Sequence, residues 1–172
     1  MKNSLAAVGF AALALLVPML AAPAVAQSQV LGTDAEACLP GGTAHAALVR
    51  VTGFKDRQGQ LRLQYYSDDP KTFLASGAYL RRQEMPMTAT GDMHICITVP
   101  APGRYAFVVL HDRDEDGMLS IWSDGVGFSN NPRLALAKPK VEPMLVTIGP
   151  GVTPITIIMN YRRGLSVRPM DP

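Results

Sequence analysis

The sequence is poor in the residues from which catalytic sites are most often built. Its 172 residues include two cysteines, three histidines and one tryptophan. The histidines, His45, His94 and His111, fall on separate predicted strands or strand ends and suggest no zinc triad. The serine contexts "ASGA" and "FSNN" form no nucleophile elbow. Charge of one sign is also lacking. The formal net charge is +2, too small an excess to call for nucleic acid or an anionic surface as partner. The basic C-terminal "YRRGLSVRP" reads as a solvated tail, residues 163–172.

Long hydrophobic runs are missing everywhere except at the N-terminus. There, Lys2 precedes an apolar stretch, Leu5 to Leu20, and "APAVA" supplies an Ala-x-Ala cleavage pattern. The stretch is short for a bilayer span and is broken by Pro18. Residues 1–26 therefore read as a secretory signal peptide cut after Ala26, with no membrane span afterwards. The leader carries Lys2 and no acid, so its removal lowers the net charge from +2 to +1. Export places the protein in the periplasm or outside the cell. In such a compartment the even pair Cys38 and Cys96 reads as a disulfide.

Strand signals dominate what remains. Residues 27–42 form a polar lead-in, and a β-sandwich domain spans 43–162. "HAALVRVTGF" and "QLRLQYY" alternate in polarity and flank the polar turn "KDRQG", which predicts a hairpin. "DPKTFLASGAYL" predicts one short helix, with Asp69 as cap and Pro70 at the first helical position. "LRRQEMPMT" is an edge strand because of Pro86. "MHICITV" puts Met93, Ile95, Ile97 and Val99 on the core face and Cys96 on the other, so a bridge to Cys38 would pin the lead-in across the outside of a sheet. "RYAFVVLH" has little polar alternation and predicts the most central strand. "PMLVTIG" and "TPITIIMNY" complete about seven strands. The fold class is all-β, an antiparallel β-sandwich with one short helix and one long ordered loop. A closed barrel of the same strands has the same periodicity.

The long loop runs from His111 to Lys140 without a clear strand. Trp122, Phe128, Leu134 and Leu136 are apolar anchors that argue for order, and "NPRLALA" suggests a helical turn. Its start is distinctive. Asp112, Asp114 and Asp116 alternate and Gly117 follows, which is the first half of a calcium loop. Calcium takes six to eight oxygens, and alternate residues of a tight turn aim carboxylates at one point. The Met118 carbonyl and Ser120 are further candidates, and Asp124 is the nearest closing ligand. Ser123 stands where a helix-loop-helix calcium site needs glutamate, so that motif is excluded. A solvated acidic turn is the plainer alternative.

"GVGFSNNP" offers a candidate binding surface of Trp122, Gly125, Gly127, Phe128, Asn130 and Asn131, suited to a glycan or a protein of the cell envelope. The same aromatics could instead fold inward as the loop's own small core. Two further chemistries are represented. His111 beside Asp112 could serve a hydrolase or isomerase as an acid/base pair. Met85, Met87, Met93 and His94 are soft ligands of the kind a copper carrier uses, although methionines at these positions also suit a core.

"GRYAFVVLHDRDEDGMLS", "GFSNNPR" and "ITIIMNYR" together resemble a family of bacterial secreted proteins of unknown function. The resemblance covers roughly 43–162. It implies an exported protein with an immunoglobulin-like or transthyretin-like sandwich, and it implies no activity. The loop here is all-aspartate where an asparagine often stands in the family, which favours a cation.

Overall fold

A computed structural model describes residues 29–135 and 137–170. The proposed signal peptide, residues 1–26, lies outside them, as does Leu136.

The chain forms eleven strands: β1 (Val30–Leu31), β2 (Ala46–Thr52), β3 (Gln60–Tyr66), β4 (Arg81–Pro86), β5 (Met93–Thr98), β6 (Gly103–Asp112), β7 (Gly125–Phe128), β8 (Leu145–Ile148), β9 (Val152–Ile158), β10 (Asn160–Arg163) and β11 (Ser166–Pro169). Two short 3-10 turns, Ala35–Cys38 and Glu142–Met144, accompany them. The first sheet has the order β1-β5-β2-β9. The second has the order β11-β10-β7-β6-β3-β4, with β8 also paired to β6. The two sheets pack face to face, and the fold is an all-β sandwich.

The core between the sheets follows from period-two patterning. Val49 and Val51, Met93, Ile95 and Ile97, and Ile155 and Ile157 face inward from the first sheet. Leu61, Leu63, Tyr65, Phe107 and Val109 meet them from the second. β6 is the most connected strand, as its apolar run predicts. Its other face is apolar too: Ala106 and Val108 join Tyr66, Phe73, Phe128, Val141 and Met144 in a second cluster on the outside of the second sheet. β6 therefore has no polar face to alternate with. β4 lies at a sheet edge, where Pro86 costs no ladder hydrogen bond.

Several expectations are corrected. β2 and β3 are not a hairpin. β2 pairs with β5 and β9, β3 pairs with β4 and β6, and the "KDRQG" turn carries the chain from one sheet to the other. Local turn signals cannot tell a hairpin from such a crossing. Two pairings, β1 with β5 and β2 with β9, are parallel, so the sandwich is not purely antiparallel. The predicted helix at Asp69 is a single turn. Asp69 accepts hydrogen bonds from the Lys71, Thr72 and Phe73 amides, but Leu74 then takes a left-handed conformation (φ 56°) while Phe73 buries itself against Tyr66. "NPRLALA" forms no helical turn among its described residues, although Leu134 does pack against the outer cluster. "TPITIIMNY" is two strands. β9 belongs to the first sheet and β10 to the second, with buried Met159 at the corner between them. Residues 166–169 are not a tail but strand β11, paired with β10.

The long connection also contains a strand. β7 lies between β6 and β10 in the second sheet, and its glycines turn inward. A Cβ on Gly125 would overlap the Tyr161 ring, and one on Gly127 would come within 2.5 Å of Ile157 Cγ2. Gly125→Ala should therefore cost about 1–3 kcal/mol through overpacking. A urea unfolding midpoint unchanged from wild type would refute this packing role.

Candidate metal centre

β6 ends at Asp112, on the outer face of the second sheet and fully buried. The chain then turns tightly. Glu115 (φ 58°) and Gly117 (φ 77°) both adopt left-handed conformations, which the glycine accepts without cost. The turn brings the carboxylates of Asp112, Asp114 and Asp116 together, with one oxygen from each lying within 4.8 Å of the others. Asp114 and Asp116 are exposed, so water can complete a coordination shell there.

The oxygens of Asp112 are unequal. Oδ2 accepts a hydrogen bond from the Gly117 amide at 3.0 Å and from Gln60 Nε2 at 3.3 Å, and Arg62 Nη2 lies 3.8 Å away. Oδ1 is buried and has no hydrogen-bond partner. A buried carboxylate oxygen without a partner is costly.

The other expected ligands have different work. Asp124 is buried and does not join the cluster. Its Oδ1 accepts from the Arg113 amide at 3.1 Å and its Oδ2 from the Ser120 amide at 2.8 Å. The Ser120 carbonyl in turn accepts from the Asp124 amide at 2.9 Å. Asp124 is thus the clasp of the loop rather than its closing ligand. The Met118 amide donates to Asp116 Oδ1 at 2.7 Å, which fixes that carboxylate. The Gly117 carbonyl accepts from Arg62 Nη1 at 2.9 Å.

Sequence reasoning missed the side chains that anchor this loop. Arg113 donates from Nη2 to Asp56 at 2.7 Å and from Nη1 to the Ser123 carbonyl at 2.7 Å. Burial alone would raise the Asp56 pKa, but the hydrogen bond and charge of Arg113 outweigh it and hold the carboxyl below its usual range. Arg62 spans Glu84 and the Gly117 carbonyl. Arg113 sits inside the acidic motif itself, where a lone cation among four acids was the available signal. Asp56 and Arg62 are far away in sequence, and only the fold brings them near.

The "GVGFSNNP" surface turns largely to internal uses. Gly125 and Gly127 admit core side chains, and Phe128 is buried in the outer cluster. Ser129 Oγ donates to the Met144 carbonyl at 2.5 Å. Asn130 and Asn131 are both left-handed, a conformation asparagine tolerates better than most residues. The Asn130 amide donates to the Pro143 and Leu145 carbonyls, and the Asn131 side chain pairs with the β9 backbone at Thr156 and Ile158. Asn130 and Asn131 remain exposed while making these bonds, and Trp122 is 74% exposed with the Arg162 guanidinium 3.1 Å from its ring centroid.

His111 lies inside the sandwich, fully buried against Phe54 and Tyr161. Its Nε2 is 2.7 Å from the Gln58 carbonyl and its Nδ1 is 2.7 Å from the Tyr161 hydroxyl. A carbonyl only accepts, so Nε2 carries the proton and Nδ1 accepts from Tyr161. Burial pushes the Tyr161 pKa up to about 12, which keeps that hydroxyl a donor. Burial likewise pulls His111 below 6.5, against the opposing hydrogen bond to Gln58. The residue is a structural node, not an exposed acid/base pair with Asp112. Its folded pKa lies below its unfolded one, so protons favour the unfolded chain once the pH drops under about 6.5. Stability from this group should fall from there down to the folded pKa. NMR titration of the ring should give a value below 6.5, and one at or above 6.5 would overturn the assignment.

The copper expectation fails on geometry. Met85, Met87 and Met93 pack into or against the inner core, whereas His94 shares the outer face of β5 with Cys96. The disulfide is formed, with Cys38 and Cys96 joined at 2.04 Å. The bridge crosses the outside of the first sheet, as the alternation of β5 predicts. Among the described residues no helix is long and apolar enough to cross a membrane.

A family described as an uncharacterized protein conserved in bacteria (DUF2141) matches residues 49–156. No curated protein and no solved structure matches the chain.

Proposed function

The chain belongs to this family of uncharacterized bacterial proteins, and from that premise we propose that it is an exported, non-enzymatic binding or structural module whose acidic loop is ordered by calcium. The observation that carries the reading is Asp112, a buried carboxylate with one unpartnered oxygen, which lies in a cluster with the carboxylates of Asp114 and Asp116. Hard carboxylate oxygens suit calcium, and the open side of the cluster leaves room for its high coordination number. A nitrogen or sulfur ligand is absent from the cluster, which disfavours zinc and copper.

Export rests on the leader sequence and is consistent with the disulfide, since such bonds persist in oxidising compartments. The non-enzymatic part rests on His111, whose ring nitrogens are both engaged away from solvent. In this reading the cation fixes residues 113–123 and so fixes the display of Trp122.

Trp122 is the single tryptophan of the chain and lies in the loop, so its emission reports the loop directly. Titration of the chelated protein with calcium should give a saturable emission change, abolished in Asp114→Asn/Asp116→Asn. A flat titration to about 10 mM calcium, well above the weakest extracellular sites, would sink the proposal.

A further inference from the structure

The outer face of the second sheet is not closed. Three segments stand on it: the turns at 68–80, the acidic loop, and residues 129–135 with 137–141. Between them lies a cleft of about 550 Å³. Its floor is apolar, made by Val108, Leu110, Val126 and Phe128. Leu119 and Ile121 of the acidic loop form one wall and are 51% and 43% exposed, so apolar surface faces water at its mouth. The volume falls within the roughly 300–1,000 Å³ of small-molecule sites.

The charges around this floor are one-sided. Arg62, Arg82, Lys138 and Arg162 line the cleft, and the acid among the lining residues is Asp124. Both oxygens of Asp124 already accept backbone amides. Arg62 and Arg82 are also engaged, by Glu84 and by Gln64 and the Tyr79 ring. Lys138 and Arg162 differ. Lys138 is exposed and has no ion-pair partner among the described residues. Arg162 spends Nε on the Gly164 carbonyl and its face on Trp122, while its terminal nitrogens have no hydrogen bond to the described residues.

We propose that this cleft binds a single-chain amphiphile with a carboxylate head, a fatty acid, with the acyl chain on the Val108–Leu110–Val126–Phe128 floor and the head between Lys138 and Arg162. A planar guanidinium with free terminal nitrogens matches a carboxylate in a paired geometry. The apolar floor suits a long hydrocarbon body, and two cations without an acidic partner among the described residues suit one anionic group. The floor and both cations lie outside the acidic loop, which supplies only the Leu119 and Ile121 wall.

The test uses the protein lacking its leader, in chelator, with displacement of a fluorescent polyene fatty acid as the readout. Myristate should displace the probe saturably at one site per chain, and affinity should rise about fourfold per added methylene. Tetradecanol should bind at least about tenfold more weakly, the loss expected of a charge-assisted pair. Tetradecyltrimethylammonium should bind more weakly still. Lys138→Gln/Arg162→Gln should bring myristate down to the level of the alcohol. Leu119→Asp, at an exposed loop position, should weaken every chain. Absence of saturable displacement, or equal affinity for the carboxylate and the ammonium head, overturns the proposal on the unaltered protein alone. Unchanged affinity in Leu119→Asp overturns the placement.

Discussion

Asp112→Asn should reverse its effect on stability with calcium. In chelator the variant should melt at or above the wild-type temperature. In about 10 mM calcium it should melt roughly 3–10 °C below it. The reason lies in Asp112 Oδ1, which is buried and without a partner. With no cation, the wild type holds the Asp112 carboxylate beside those of Asp114 and Asp116, and like charges so close repel. An asparagine keeps an oxygen for the Gly117 amide and carries no charge, which removes the repulsion. With calcium the balance inverts. A site of about 0.1–1 mM affinity, ordinary for an extracellular module, contributes roughly 1.4–2.7 kcal/mol at about 10 mM ion. For a domain of this size that is roughly 3–10 °C. Differential scanning calorimetry of both proteins in both buffers checks it. Wild-type melting that ignores calcium, or a variant destabilised equally in both buffers, would refute the cation role and leave Asp112 as the acceptor of its local hydrogen bonds.

Loss of the Cys38–Cys96 bond should cost about 4 kcal/mol, because the bridge closes a sequence separation of 58 residues in the unfolded chain. The melting temperature of Cys38→Ala/Cys96→Ala should fall by roughly 10–20 °C. The lead-in should nevertheless stay docked. Asp34 accepts from the Thr98 amide and hydroxyl at 2.8 Å each and pairs with Arg81. Burial alone would raise the Asp34 pKa, yet these contacts hold it below the usual value. Gln83 adds hydrogen bonds to Thr33 and to the Cys96 carbonyl. The variant should therefore lose global stability while amide exchange at Thr98 stays protected in the native state. Equal melting temperatures for variant and wild type would remove the stabilising role. Exchange lost at Thr98 alone would show that the bond only pins the lead-in.

Particular residues show how far the sequence reading reached. The inward faces of β2, β3 and β5 were legible because period-two alternation is a local property of the chain, and the central place of β6 was legible because its run lacks that alternation. Asp112, Asp114 and Asp116 were legible because one acid at every second position, three times, before a turn glycine is itself a geometric statement. Asp124 was misassigned. Its spacing from the cluster suits a ligand, but Arg113 and Ser120 present amides to it first. Gly125 and Gly127 suggested an external visitor. The close approach they permit is real, but the visitors are Tyr161 and Ile157 from inside the fold.

By itself the sequence determined an all-β chain, the faces of its main strands, the pairing of its two cysteines and one acidic turn. Each of these depends on residues within a few positions of one another, or on a count. The tertiary structure decided which strands share a sheet, that the chain from 152 to 163 serves both sheets, and that His111 is locked between Gln58 and Tyr161. It also decided that Lys138 and Arg162 face one apolar cleft. These depend on contacts between segments far apart in sequence, and local pattern carries no information about which distant surface will cover a given face.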